Sequence, residues 1–272
     1  MATLSPSVAL RSTPVFSSPR LRIGSAKVAF IVVLLAAWQL AAASGNLGAV
    51  PEPTAVGAEL VGLFLSGTVW APLAITIASW ALSFVLASVI GIVVGFPLGA
   101  SRLAYRMSSF VLDFCRTIPA LALVPLAVLM FGTSIQSTVL LASFGAVWAV
   151  LLQTIYGVRD IDPIARDTFR SYRVGRIDTA ARLVLPTAAP YIATGLRLAA
   201  AICLLLTLSV QIVIAAPGIG QEIVVTSLGG SVSKMYAYIV LAGILGIAIN
   251  AVFVALERAS LSWHPSHRKV LP

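Results

Sequence analysis

APLAITIASWALSFVLASVIGIVVGFPLGA, residues 71–100, runs without a single charged side chain. About 20 apolar residues of helix, rising 1.5 Å each, cross the hydrocarbon core of a bilayer, so this stretch is long enough to span it and either tilt or project beyond it. Five other segments pass or approach the same test: 26–43, 110–130, 135–158, 187–216 and 236–256. The first is the shortest, and 187–216, like 71–100, exceeds what a perpendicular helix needs. The rest of the 272-residue chain agrees, with 59% hydrophobic residues, 10% charged residues and a mean hydropathy of +1.02. A soluble domain of this size cannot hide so much apolar surface from water. The expected fold is an all-α membrane protein with six transmembrane helices.

The linkers between these segments carry most of the charge. Arg11, Arg20, Arg22 and Lys27 precede or open the first segment, Arg102 and Arg106 follow the second, and Arg159, Arg166, Arg170, Arg173, Arg176 and Arg182 follow the fourth. Arg258, Arg268 and Lys269 close the chain, whereas the intervening linkers hold Glu52, Glu59, Glu222 and only Lys234. Basic and non-basic linkers alternate, and Lys and Arg near span ends favour the cytoplasmic side, so both termini are expected in the cytoplasm. The net charge of +9 is then chiefly topology. Basic residues dispersed over four segments without aromatic interleaving argue against nucleic-acid binding.

This gives a domain plan: a disordered cytoplasmic tail over 1–25, a transmembrane domain over 26–258 with a polar loop at 159–186, and a cytoplasmic tail over 259–272. The Ser-, Pro- and Arg-rich, acid-free start also fits a transit peptide, or a signal peptide ending near Ala41, Ala42 and Ala43. Cys115 and Cys203 fall in apolar segments and read as packing residues, while His264 and His267 lie in the C-terminal tail. No His, Cys or carboxylate cluster suggests a metal site or membrane enzyme chemistry.

The loop is patterned. Asp162 before Pro163 reads as a helix cap and first helical position, and Ala165, Phe169 and Tyr172 recur at helical spacing to form one apolar face. Asp162, Arg166 and Arg170 lie one turn apart on another face, placed to pair along the helix or with a partner. A second short helix is expected from Asp178 and must stop by Leu185, since Pro186 disfavours helix in the residue before it. Exposed Phe, Tyr and Arg are enriched at protein contacts.

RLVLPTAAPYIATGLRLA, residues 182–199, resembles a stretch of the permease subunits of bacterial ABC importers in the nitrate, sulfonate, taurine and bicarbonate group. Their loop motif reads Glu-Ala-Ala, three residues, Gly, nine residues, an apolar residue, one residue, Leu-Pro. Aligned on Leu185 and Pro186, Asp167, Thr168 and Phe169 take the Glu-Ala-Ala places, Arg173 the Gly place and Leu183 the apolar place. VPEPTAV (50–56), RTIPALALVPLAVLMFG (116–132) and APGIGQEI (216–223) are similar to further family phrases, in the family's order.

The resemblance implies the type I importer permease fold, with a cytoplasmic coupling helix between helices 4 and 5. It also implies a bacterial inner-membrane complex of two permease chains, two cytoplasmic ATPases that bind ATP and Mg, and an external substrate-binding protein. Arg166, Asp167, Phe169, Arg170, Tyr172, Arg173, Gly175 and Pro186 are then the ATPase-coupling residues. The degenerate start of the motif, with Arg173 at the Gly place, suggests pairing with a second, different permease; a homodimer is the alternative. The chain has no Gly-x-x-x-x-Gly-Lys-Ser/Thr phosphate loop of its own. Small anions such as sulfonates or nitrate are the family default, with thiamine-type pyrimidines or aromatic carboxylates as alternatives. A non-transporting scaffold would use the same loop, and an ion-coupled carrier would need mid-membrane charges that this sequence lacks.

Polar residues inside the apolar segments are pathway candidates: Gln153, Ser209 and Gln211, with Gln211 expected to face the dimer axis or else to bond another helix. Asp113 and Arg116 are expected to pair, and Arg197 to snorkel toward the cytoplasm. Pro119, Pro125 and Pro190 are hinge candidates, or static kinks. Gly91, Gly95 and Gly99, and Gly243 with Gly246, read as close helix packing.

Overall fold

The computed structural model describes residues 19–45, 48 and 50–260. Most of the expected N-terminal tail, and the C-terminal tail from 261 with its two histidines, lie outside them. The chain divides into two units, 1–55 and 56–272. In the first, helix α1 (Pro19–Ala43) starts ahead of the apolar segment expected from Ala26. Its Gln39 binds the segment that follows, donating to Glu52 at 2.7 Å and accepting from the Thr54 amide at 3.3 Å.

The second unit, in its described elements, consists of helices joined by short linkers. It contains α2 (Pro53–Leu65, which begins in the first unit), α3 (Trp70–Ala100), α4 (Arg102–Thr117), α5 (Val124–Phe131) and α6 (Ile135–Arg159). The short α7 (Pro163–Ser171) and α8 (Arg176–Thr179) follow, and then α9 (Leu185–Val213), α10 (Ile219–Leu228) and α11 (Val232–Ser260). Among the described residues four helices are long and apolar enough to cross a membrane: 70–100, 135–159, 176–213 and 232–259; a bent pair adds a fifth.

Glycines set how close the central helices come. A Cβ at Gly91 would meet the Val150 side chain at 2.6 Å, one at Gly95 the Leu151 carbonyl oxygen at 2.9 Å, and one at Gly99 the Val158 side chain at 2.7 Å. The facing residue advances in step with the glycine, so α3 and α6 run parallel in near-backbone contact. Between α6 and α9 the order reverses: Gly145 faces Leu206, Gly157 faces Ala188 and Tyr191, and Gly195 faces Ala149 and Gln153. These two helices are antiparallel. The apolar core follows this three-helix seam, with Ala87, Ala146, Val150, Ala199 and Cys203 buried in its middle. Gly243, expected in a close packing pair, instead has open space around it, and a Cβ on Gly246 would make only ordinary contact with Leu204, at 3.4 Å.

Because α3 and α6 are parallel, residues 101–134 must bring the chain back along the bundle. The single span expected over 110–130 is in fact two helical pieces, α4 and the 120–131 segment, bent by 79°. Pro119 is the reason. It bars helix at Ile118, which is extended at φ −71° and ψ 117°, and a 3₁₀ turn at Ala120–Leu123 leads into α5. The expected Asp113–Arg116 pair forms at 3.1 Å on exposed α4.

Two short apolar helices, α2 and α10, are too short to span a membrane. Val56 and Leu63 of α2, Ile219 of α10, and Ala237, Tyr238 and Leu241 of α11 close one end of the bundle as a single buried cluster. The polar loop occupies the other end, over Val158, Ala188 and Ile192. Only 11% of the apolar window of α11 is buried within the chain, which leaves most of that helix for lipid or another subunit.

Candidate functional site

Helix α7 has the start that its sequence predicts: the Asp162 carboxylate accepts from the Ile164 amide at 2.9 Å, and Pro163 occupies the first turn. Its end is a Schellman motif. The Val174 amide reaches back to the Phe169 carbonyl and the Arg173 amide to the Arg170 carbonyl, each at 3.0 Å, with Arg173 itself left-handed at φ +49°. A left-handed residue in this place is what a glycine supplies without strain. The Gly position of the loop motif and the observed backbone of Arg173 therefore have one physical cause.

The expected apolar face of α7 divides in two. Ala165 and Phe169 are half-buried, and Phe169 lines a cavity of about 680 Å³ between the loop and the helix ends, with Phe96, Val158 and Val184. Tyr172 points the other way, 80% exposed, alongside exposed Ile164 and Ile177. Tyr172 sits at the C-cap, one residue before the left-handed Arg173, where the helix ends and its side chain is left in the open. The apolar set open to a partner is thus Ile164, Tyr172 and Ile177, and neither isoleucine stood out in the sequence.

Asp162 does not pair with Arg166 or Arg170. Its carboxylate is occupied as a cap, and the ion pairs among the described residues are Asp113–Arg116, Asp178–Arg182 and Glu257–Arg197. Arg166, Arg170 and Arg176 all line the loop cavity, while Asp167 is exposed. Gly175 is the N-cap of α8. Nearby, Arg159 lies over the Tyr105 ring at 4.2 Å, and Tyr191 donates to Asp160 at 2.6 Å, fastening the end of α6 to the start of α9.

Pro186 does not stop the second loop helix. The chain is helical without a break from Arg176 to Val213, because Ala180–Val184 winds as a π segment between α8 and α9. The wider i→i+5 register moves the carbonyl that a proline ring would strike, and the Thr187 hydroxyl donates to the Leu183 carbonyl at 2.7 Å. At about 1.5 Å per residue, this 38-residue helix is a rod of about 57 Å from the loop to the opposite end of the bundle.

The other candidate residues do not converge on one place. Ser209 is half-buried and lines an apolar cavity of about 440 Å³ between α9 and α11, which Arg197 also lines. Arg197 pairs with Glu257 of α11 at 3.1 Å. Gln153 is partly exposed, with Gly195 against its Cβ. Gln211 is fully buried among Thr76, Gly218 and Gly220, where it accepts hydrogen bonds from the Thr76 hydroxyl and the Gly220 amide. Pro119 stands at the 79° bend, Pro125 in the first turn of α5, and Pro190 inside continuous α9.

Residues 87–261 match the family model described as binding-protein-dependent transport system inner membrane component. The chain is 29% identical over 237 residues to the putative aliphatic sulfonates transport permease protein SsuC of Bacillus subtilis, covering 86% of each chain. It is 28% identical over 235 residues to the nitrate import permease protein NrtB of Leptolyngbya laminosa, covering 83% of each. It is 30% identical over 244 residues to the bicarbonate transport system permease protein CmpB of Synechococcus elongatus, covering 85% of this chain and 87% of that one. Its backbone resembles a chain of the MetNI methionine ABC transporter in an inward-facing crystal form, with a TM-score of 0.60, 20% identity, and coverage of 68% of this chain and 92% of that one. Such permeases are not enzymes; a partner chain hydrolyses the ATP. The chain is a multi-pass membrane protein and belongs to the binding-protein-dependent transport system inner membrane component family.

Proposed function

We propose that this chain translocates a small anion, a sulfonate, nitrate or bicarbonate, across a bacterial inner membrane. An external binding protein delivers the solute, and two cytoplasmic ATPases, which hold the ATP and Mg, drive the cycle. Two permease chains form the conduit, and the Arg173 departure from the family motif favours a heterodimer. In this reading α1, α3, the bent α4–α5 pair, α6, α9 and α11 make six passes, both termini are cytoplasmic, and the tails at 1–25 and 259–272 flank the permease domain. Gln153 and Ser209 line the pathway, and Pro119 is the residue best placed to act as a hinge.

One observation carries the proposal: the basic loop leaves Ile164 and Tyr172 of α7 exposed, together with Ile177 in the first turn of an unbroken 38-residue rod. A groove on an ATPase that buries these side chains can shift the rod between two states by as much as its contacts differ between them. Asp167, Arg166, Arg170 and Arg173 then form the polar rim of that contact, and Gly175 and Pro186 shape the backbone that carries it.

The test is uptake of labelled taurine, nitrate and bicarbonate into vesicles holding the permease, its ATPase and its binding protein. ATP-dependent accumulation of one of them supports the proposal. Replacing Tyr172 and Ile164 together by Asp should abolish uptake while the permease stays in the membrane. Uptake that continues without ATP or without the binding protein refutes it.

A further inference from the structure

Helix α10 begins without a cap of its own. Its first two residues are Ile219 and Gly220, and the N-cap position is Gly218, which has no side chain to offer. Backbone N–H groups in a first turn have no partner within the helix. Here other helices supply the acceptors. The Ile219 amide donates to the Thr76 hydroxyl of α3 at 2.9 Å, and the Gly220 amide donates to Gln211 Oε1 of α9 at 3.1 Å. The Thr76 hydroxyl in turn donates to Gln211 Oε1 at 3.1 Å, closing a three-way clasp among α3, α9 and α10.

The clasp is sealed by close packing. Thr76 and Gln211 are fully buried, as is Ile219. A side chain at Gly218, held at φ +138°, would overlap the Gln211 amide, and a Cβ at Gly220 would meet the Leu208 carbonyl oxygen at 2.8 Å. Gln211 Nε2 is buried and has no hydrogen-bond partner among the described residues. A methionine would fill similar space without burying an unpaired donor, so what glutamine adds at this position is its acceptor oxygen.

Gln211 stands near the end of the rod that begins in the coupling loop, and α10 helps close the opposite end of the bundle. We infer that Thr76 and Gln211 are positioning residues for translocation: they lock α10 to α9 and α3, so that displacement of the loop reaches α10 as motion of one rigid body. This rests on the permease reading above. Without the clasp, α10 is tethered to α9 only through residues 214–218 and the apolar cluster, and α9 can move without carrying it.

The experiment measures spin-label distances in the full complex with its ATPase, in phosphatidylethanolamine–phosphatidylglycerol vesicles, with and without trapped ATP. Labels replace exposed Val213 at the end of α9 and exposed Val225 on α10, in a Cys115→Ser, Cys203→Ala background. The unmodified clasp should give one narrow distance, the same in both nucleotide states. Thr76→Val and, independently, Gln211→Met keep side-chain volume and should broaden the distribution about twofold and make it nucleotide-dependent. Thr76→Ser keeps the hydroxyl and should restore the narrow distance, which a merely space-filling role would not require. A narrow, nucleotide-independent distance in both Thr76→Val and Gln211→Met overturns the inference, as does a nucleotide-dependent distance with the clasp intact. A control pair at Leu103 and Ile177 reports the loop itself: if ATP leaves that pair unmoved, the permease reading fails first, and the inference falls with it.

Discussion

Arg173 offers a direct test of why the loop motif favours glycine at its place. Its backbone is left-handed at φ +49° and closes the Schellman turn of α7 through amides 173 and 174. For a residue with a Cβ this conformation costs about 1–2 kcal/mol, while glycine's greater freedom in the open chain returns about 0.5–1 kcal/mol. Arg173→Gly should therefore stabilise the closed turn by about 0.5–1 kcal/mol, slowing local opening about two- to fivefold. Hydrogen exchange of the Arg173 and Val174 amides reads this directly, since each makes one of the two closing bonds. Arg173→Ala keeps the Cβ and removes the charge, so its amides should exchange at the unmodified rate. If Arg173→Gly exchanges as fast as the unmodified protein, or Arg173→Ala slows as much as Arg173→Gly, backbone strain is not what distinguishes this position.

The central packing gives a second contrast. Gly157→Ala drives a Cβ to within 3.0 Å of the Ala188 backbone and should lower the thermal midpoint in detergent by an amount equivalent to about 1–3 kcal/mol, whereas Gly62→Ala, in open space on α2, should match or raise it. The half-exposed Arg197 and more buried Glu257 should show a coupling of about 1 kcal/mol in a double-mutant cycle of thermal unfolding, and additive single effects would remove the pair as a link between α9 and α11. Phe169→Ala should loosen the loop over its cavity and speed exchange throughout α7, while Ile177→Ala, at 86% exposure, should leave exchange unchanged and weaken ATPase retention on purification.

Much of this architecture is legible in the chain, for identifiable reasons. Length and charge alone locate the apolar helices, because a run such as 71–100 has few soluble alternatives. The start of α7 is legible because a cap is local chemistry: Asp162 and Pro163 need only their own backbone. The failures lie where distant or competing forces decide. Pro186 obeys a local rule that predicts a stop, yet the π segment re-registers the backbone and the packing of Ala188 and Ile192 carries the helix on. The inward turn of Phe169 depends on Phe96, Val158 and Val184, which lie outside α7 along the chain and which no spacing within it reveals. Helices α2 and α10 are too short to register as spans, although they close one end of the bundle. Gln211 finds its partner 135 residues away, a distance that no spacing rule reaches; the buried Thr76, Ser79 and Ser83 lie at helical intervals along α3.

The most direct measurement of the central claim places a photo-crosslinking amino acid at position 172 in cells that also produce the cognate ATPase. Tyr172 is 80% exposed on the loop, and illumination should join it to the ATPase in a single adduct, lost when Ile164 and Ile177 are both changed to Asp. Labelling of position 172 by a membrane-impermeant reagent from outside intact cells, with no ATPase adduct, would place the loop on the wrong side of the membrane and contradict the account.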